Sequence, residues 1–442
     1  NAVVHAPILD SNLNPASFNQ AILTPQRRTE ISPRLDLKLT PNHTLTARYE
    51  WERSTNLNSG IGDLSLPSRA FDRSSSERSF RVTETALLGT RLVNETRFGY
   101  GQGQQRQDGD NTIPTLSVLG SFTGGGAQVG RAWDQDNTWE LQNYTTRAAG
   151  RHSLRFGARL RGVEREDVSP NNFGGTYTFA GTLAPQLDAD NRPLLGAGGQ
   201  PVVSPITSLE RYRRTLLFQS LGLSPAEIRA LGGGPSQFTI AGGNPSASVG
   251  QFDVGAFLQD DWRLRPTFTL SYGLRYERQT NIRSNVNFAP RAAFAWSPGA
   301  GGSRQPRTVI RGGLGIFYDR FSESLVLQTR RFDGVRQQQF IVSDPAVLDL
   351  FPAVPSVDRL TAFAQPQTIR RIAGDLRSPY SMISSLSVER QLPRNFTVSA
   401  TYVRTRTLHM LRSRNINAPL PGSYDPRVAG SGLRPFGNVG NI

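Results

Sequence analysis

The stretch FTLSYGLRYERQ, Phe268 to Gln279, changes character at every residue. Phe268, Leu270, Tyr272, Leu274 and Tyr276 take one parity; Thr269, Ser271, Gly273, Arg275 and Glu277 take the other. Successive side chains of a β-strand point to opposite faces, so this run is a strand with one apolar and one polar side. The pattern returns in HTLTARYEWER, HSLRFGARLRG and NFTVSATYVRT, and less cleanly around the glycines of TVIRGGLGIFYDR. Each run is about ten residues long, enough to cross a bilayer at a tilt. The apolar side therefore meets either a protein core or lipid.

The connections separate these two cases. Strands are expected at 29–40, 43–53, 78–89, 91–101, 132–147, 151–164, 250–264, 267–279, 287–297, 307–320, 380–391 and 395–406. Links within pairs are short and turn-like: TPNH, GT, RAAG, RPT, SPGAGGSRQP and LPRN. Links between pairs are long, at 54–77, 102–131, 165–249 and 321–379, with 280–286 as the short exception. Alternation of short turns with long loops is the topology of a membrane β-barrel. A soluble sandwich or propeller has turns every few residues at both ends and a core face rich in Val, Ile and Leu. Here the polar parity carries Arg, Glu, Gln and Thr, which suits a wet lumen better than a packed core. The expected fold is all-β, a transmembrane antiparallel β-barrel, partial, with about twelve strands of a larger barrel and long extracellular loops.

Composition agrees with this reading. Only 37% of the 442 residues are hydrophobic and the mean hydropathy is -0.40, with 43 glycines and 29 prolines spread along the chain. There is no apolar run of the length a transmembrane helix requires. Cysteine is absent, which excludes disulfides and thiolate metal sites and is compatible with the periplasm or cell surface. The formal charge of +15 comes almost wholly from arginine, because Lys38 is the sole lysine. The arginines recur singly on the polar parity and no nucleic-acid-binding signature accompanies them, so nucleic acid is not an expected partner.

Aromatic residues supply a second expectation. With the short turns in the periplasm, Trp51, Tyr100 and Tyr276 fall near the outer strand ends, and Trp262, Phe268, Trp296 and Phe396 near the inner ends. Amphipathic rings favour both membrane interfaces. The first strand runs toward a short turn and the last runs away from one, so 1–28 and 407–442 are expected to be cut extracellular loops. The whole of 1–442 then reads as one partial outer-membrane barrel domain. The opening NAVVHAPILD, without Met, a basic start or an apolar stretch, fits an internal piece of a longer protein.

Several segments resemble the barrel of TonB-dependent outer-membrane receptors, in particular the Oar-like group. They are ISPRLDLKLTPNHTLTARYEWERS, RLVNETRFGYG, GRHSLRFGARLRG, FDVGAFLQDDWRLRPTFTLSYGLRYE, NFAPRAAFAWSP and TVIRGGLGIFYDRF. The resemblance covers most of 29–406 and is most specific in the QDDWRL to GLRYE hairpin. It implies a barrel of about 22 strands around a plug. It also implies outer-membrane lipid as surroundings, and a TonB complex as partner through a plug that lies outside this chain. The function implied is energised uptake of an unidentified ligand. The alternative is a surface protein for adhesion, export or envelope integrity.

No enzyme chemistry is expected. A Walker A loop cannot be written around Lys38, and no GxSxG elbow occurs. His5, His43, His152 and His409 are spaced unlike metal ligands and read as isolated turn and loop residues, so no metal or cofactor is expected. Asp260 and Asp261 are adjacent on a strand and point to opposite faces, which suits a structural role near the periplasmic rim. RGGLG at Arg311 to Gly315 lies within a strand, where glycines mark a bend or close backbone contact. The 165–249 loop holds a candidate hairpin, GGTYTF, an amphipathic stretch SLERYRRTLLFQSLGL, and SPAEIRAL, a helix start with Ser224 as N-cap, Pro225 at N1 and Glu227 at N3.

The candidate site is the lumen wall. Arg48, Glu50, Arg155, Arg159, Arg161, Arg275 and Glu277 lie on the polar parity as candidate contacts to a ligand or to the plug. An arginine-rich wall would concentrate anions, hence an anionic extracellular ligand or an acidic plug face. The other reading is that these side chains pair with carboxylates across the strands.

Overall fold

In the computed structural model the described residues are 1–299, 307–362, 369–425 and 431–437. Most of the chain is one antiparallel wall. Its strands, numbered in chain order, are β1 (Gln26–Ile31), β2 (Arg34–Thr40), β3 (His43–Ser59), β4 (Phe71–Leu88), β5 (Leu92–Gly109), β6 (Arg131–Ala149) and β7 (His152–Val168). They continue as β8 (Ser246–Arg265), β9 (Phe268–Gln279), β10 (Phe288–Trp296), β11 (Thr308–Tyr318), β12 (Tyr380–Gln391) and β13 (Thr397–Leu408). β1 and β2 both pair with β3 and act as one strand interrupted at Ser32 and Pro33, where proline has no amide proton for the ladder. Each later strand pairs with its sequence neighbours, so the wall is a meander from β13 to β1. It is open at both sides, and the edge strands β1, β2 and β13 are exposed nearly throughout. This is an open wall of the kind a partial β-barrel presents.

A meander places alternate links on alternate rims. The tight connections at 41–42, 89–91, 150–151, 266–267 and 392–396 share one rim; 169–245 and 319–379 lie at the other. Gly89 (φ 71°) and Gly150 (φ 63°) take the left-handed backbone that these turns need. The SPGAGGSRQP link falls largely on residues outside the described set.

Strand number and order agree with the sequence reading, but strand length does not. β3 to β8 run 17 to 20 residues, whereas the apolar alternation marks about ten. The ladder continues beyond the alternation because hydrogen bonding needs only backbone. Arg53, Arg78, Gln102 and Asn137 carry the outward face upward into water. The links expected at 54–77 and 102–131 are correspondingly shorter.

The long links do not act as separate loops. Strands Thr115–Val118, Phe122–Gly125, Thr176–Phe179, Gln237–Gly243 and Gln337–Val342 form a five-stranded sheet drawn from three different links. GGTYTF is therefore not a hairpin. Thr176–Phe179 pairs with 237–239 on one side and in parallel with 115–118 on the other, partners that local pattern cannot reveal. Residues 1–28 also differ from a plain loop, because Ala2–Leu9 and Pro15–Ile22 form a hairpin that sends Val4 and Ala6 into the same core. That core holds Val118, Tyr177, Phe179, Phe238, Phe340 and Leu360, all at 1% exposure or less. We call this assembly the cap.

Helices close it. α1 (Ser208–Ser220) has Thr207 as N-cap, and α2 (Pro225–Ala230) has the expected box, Ser224 accepting from the Glu227 amide while Glu227 accepts from Ser224. Arg211 donates to the carbonyls of Gly234, Ala180 and Pro235. Glu210 receives Arg213 at 2.6 Å and Arg214 at 2.8 Å. Burial opposes the Glu210 carboxylate, yet these hydrogen bonds outweigh it and hold the carboxyl below its usual range. A depressed carboxyl adds stability that is present above its unfolded value and lost as pH falls through the folded one. Amide exchange across 208–220 is therefore expected to quicken on acidification through that window, and Glu210→Gln to abolish the dependence.

Candidate functional site

Strand register sorts the two faces of the wall. Phe156, Leu258 and Leu274 are opposed on one side, as are Leu160 with Val254 and Tyr402 with Leu386. Upward along this outward face, Tyr49, Phe80, Tyr100 and Trp139 stand in register from β3 to β6. At Gly162 a Cβ would overlap the Trp139 indole, and Trp139 leans across it to Phe252, ring centroids 6.0 Å apart. Near the short-turn rim Trp262 stacks on His152 at 5.3 Å and Phe268 on Phe294 at 6.2 Å. RGGLG lies in β11 as expected, and Gly312 leaves space for the Phe294 ring, whose edge is 2.5 Å from the position of a Cβ there.

The opposite face is charged, and the candidate residues divide into two groups on it. Arg48 meets Glu50 at 3.4 Å, and Glu50 also receives Arg81 at 3.7 Å. Arg159 grips Glu140 with two hydrogen bonds of 2.6 and 2.7 Å. Arg161 bridges Asp253 on β8 at 2.8 Å and Glu323 at 3.0 Å. For Arg159 and Arg161 the cross-strand ladder is the arrangement present, whereas Arg48 pairs with Glu50 along its own strand. Arg155, Arg275 and Glu277 make no ion pair among the described residues. Arg275 lies over the Phe257 ring at 4.9 Å. Gly157 provides the room: a Cβ there would stand 2.7 Å from Tyr144 and 2.9 Å from Phe257, and the two rings close over it at 5.6 Å.

Sequence reasoning missed Glu140, Asp253, Tyr144 and Phe257. Glu140 and Asp253 lie opposite Arg161 and Phe257 opposite Arg275, while Tyr144 lies opposite Gly157, so strand pairing was the signal needed, and register is not readable strand by strand. It also missed Glu323. That residue opens α3 (Glu323–Arg331), which docks on the inner face of β8 through Val326 and Leu327 against Ala247 and Val249. Arg331 pairs with Asp167 on β7. The 319–379 link thus folds inward over the upper part of the charged wall.

The histidines are not isolated. His43 and His152 each open a strand after a short turn and meet a carboxylate, Glu84 at 2.7 Å and Asp260 at 2.6 Å. Asp260 also accepts from the Tyr272 hydroxyl at 3.0 Å. His5 lies in the cap hairpin and His409 just beyond β13. Among the described residues no group of three or more His, Cys, Asp or Glu could hold a metal.

A wall with an apolar outer face, aromatic residues toward both rims and a charged inner face defines an outer-membrane barrel. The chain belongs to the family described as outer membrane beta barrel domain, whose profile matches residues 2–286 and 282–442, and it is a protein of the bacterial outer membrane. Among solved structures it is similar to the outer membrane transporter YddB from Escherichia coli, with TM-score 0.53 and 13% identity over 90% of this chain and 42% of that one. It also matches the siderophore receptors PirA from Acinetobacter baumannii (TM-score 0.48, 10% identity, 86% and 43% covered) and from Pseudomonas aeruginosa (0.44, 10%, 86% and 46%). The chain thus spans less than half the length of these proteins. No curated protein matches it.

Proposed function

We propose that this chain is the wall and cap of a TonB-dependent outer-membrane transporter, taking up a ligand through a lumen occupied by a plug. The observation that carries this reading is the inner wall, where charged side chains are ordered in ladders on a face that must be wet or covered by another polar body. In this reading the long-loop rim and its cap face outside and the short-turn rim faces the periplasm. Of the candidate arginines, Arg155 and Arg275 are the two without a carboxylate partner among the described residues, and we assign them to an anionic ligand or an acidic plug face. Arg48, Glu50, Arg159 and Arg161 maintain the wall, while Glu277 stands available beside Arg275.

The test uses the full-length protein in cells with and without a working TonB complex. Loss of the gene and loss of TonB should abolish uptake of the same nutrient. Arg155→Gln with Arg275→Gln should then weaken ligand binding or plug retention on the order of tenfold or more, the value of one charge-assisted hydrogen bond. A gene deletion that leaves every TonB-dependent nutrient unaffected but removes surface attachment would overturn the proposal in favour of adhesion.

A further inference from the structure

The outward face is not uniformly apolar. On β3, Leu45, Ala47, Tyr49 and Trp51 fill every outward position between His43 and Arg53. On β9 and β10 the apolar residues likewise reach the short-turn rim, with Phe268 and Leu270 beside Trp296 and Phe294. Three adjacent strands break this rule. Below Val82 on β4 comes Glu84; below Phe98 on β5 come Thr96 and Asn94; below Leu141 on β6 come Asn143 and Thr145, with Ala86 buried beneath Glu84 and Leu88 and Leu92 at the turn itself. The register Glu84 to Thr96 to Asn143 makes them one contiguous patch. The upper limit of the apolar band does not shift to compensate, since Arg78, Gln102 and Asn137 begin the polar zone there. The continuous apolar band is therefore short on these strands rather than displaced, and the polar patch separates it from Leu88 and Leu92 at the turn.

The patch is closed upon itself. Asn94 donates to Asn143 at 3.2 Å and to Thr145 at 2.8 Å, and Asn143 donates back to Asn94 at 3.2 Å and to Thr96 at 2.8 Å. Glu84 is held by His43. The four carboxamide and hydroxyl side chains of β5 and β6 are bonded to one another, and no exposed aromatic anchor of the kind that centres protein interfaces lies within the patch. Hydrocarbon is a poor neighbour for a carboxylate and two carboxamides even when they are paired. A wall whose apolar height falls short is accommodated by thinning of the bilayer beside it.

We infer that the outward face of β4, β5 and β6 next to the short-turn rim is a headgroup-wetted sector, where the bilayer thins and phospholipid headgroups with their water reach Glu84, Asn94, Thr96, Asn143 and Thr145. The occupant is lipid headgroup, and the membrane on this side of the barrel is thinner than beside β9 to β11. His152, Asp260 and Tyr272, bonded to one another on β7 to β9, border the sector.

This chain contains no cysteine, so single nitroxide labels can be placed on the full-length protein once any cysteine elsewhere is removed. Labels at Thr96 and Asn143, with Leu270 and Ala292 as references in the lower wall, are read in vesicles of phosphatidylethanolamine and phosphatidylglycerol. Collision with a water-soluble nickel chelate is compared with collision with oxygen. The expected result is a nickel-to-oxygen ratio at 96 and 143 several-fold above that at 270 and 292. Equal ratios at all four positions would place the patch in hydrocarbon and overturn the inference. Shielding of 96 and 143 from both reagents in isolated outer membranes would assign the sector to a protein partner and overturn it equally. A label at Phe98, at the border of the sector, gives an independent reading: Asn94→Leu, Thr96→Val, Asn143→Leu and Thr145→Val together should lower its nickel-to-oxygen ratio as hydrocarbon deepens around it, and an unchanged ratio would overturn the inference.

Discussion

Tyr177→Ala is expected to unfold the cap while leaving the wall intact. Tyr177 is fully buried, packs on Phe238 at 4.5 Å and edge-on to Phe351 at 5.0 Å, and its hydroxyl donates to the Ala353 carbonyl at 2.6 Å. Its removal deletes an aromatic ring at the centre of the core and orphans a carbonyl, a loss on the order of 4 kcal/mol by comparison with other buried aromatics. The cap is a small unit with one core, so such a loss is comparable to its whole stability. Limited proteolysis should cut within 102–131, 165–249 and 321–379 in the variant and spare them in the parent. Heat-modifiable migration of the full-length barrel should be unchanged. Tyr177→Phe, which keeps the ring, should retain the cap; protection of the three links in Tyr177→Ala would mean that the core is held by something other than this cluster.

The second large effect is expected at Arg161. One guanidinium there answers two carboxylates, Asp253 on the wall and Glu323 on α3, with all three side chains at 20% exposure or less. Arg161→Ala leaves Glu323 confined beside Asp253, which keeps the more distant Arg320 at 3.8 Å, and breaking a buried pair from one side costs on the order of 3 kcal/mol. The expected outcome is release of α3 from β8, read as new proteolytic sensitivity across 319–379. Neutralising both acids in the Arg161→Ala background, with Asp253→Asn and Glu323→Gln, should recover much of the loss, because the penalty lies in the abandoned charges and not in the missing contact. A triple variant as sensitive as the single one would mean that Arg161 acts through packing.

The wall was legible in the sequence and the cap was not, for one physical reason. A strand that separates lipid from water writes its orientation into every second residue, so HTLTARYEWER or FTLSYGLRYERQ can be read alone. The strands of the cap sheet are four to seven residues long, and most of their partners lie in other links or far along the same one. TYTF carries no sign that it will pair with TLSV on one side and QFT on the other. SPAEIRAL was readable because a capping box is local. At the candidate site, parity indicated which arginines share a face but not which acids they meet. Arg159 and Arg155 look alike in RFGARLRG, and only strand pairing brings Glu140, diagonally across from the first, within its reach and leaves the second without an acid.

The cap core has a consequence for the order of assembly. Val4 and Leu360 belong to one cluster, while nearly the whole wall lies between them in the chain. The cap core cannot be completed from any one segment, since its sheet is assembled from three separate links and the N-terminal hairpin, and closure of such long loops must come first. Its protection from protease is therefore a maturation signal: it appears only after the strands below are inserted and paired, and it distinguishes a finished wall from a stalled one before any ligand is known.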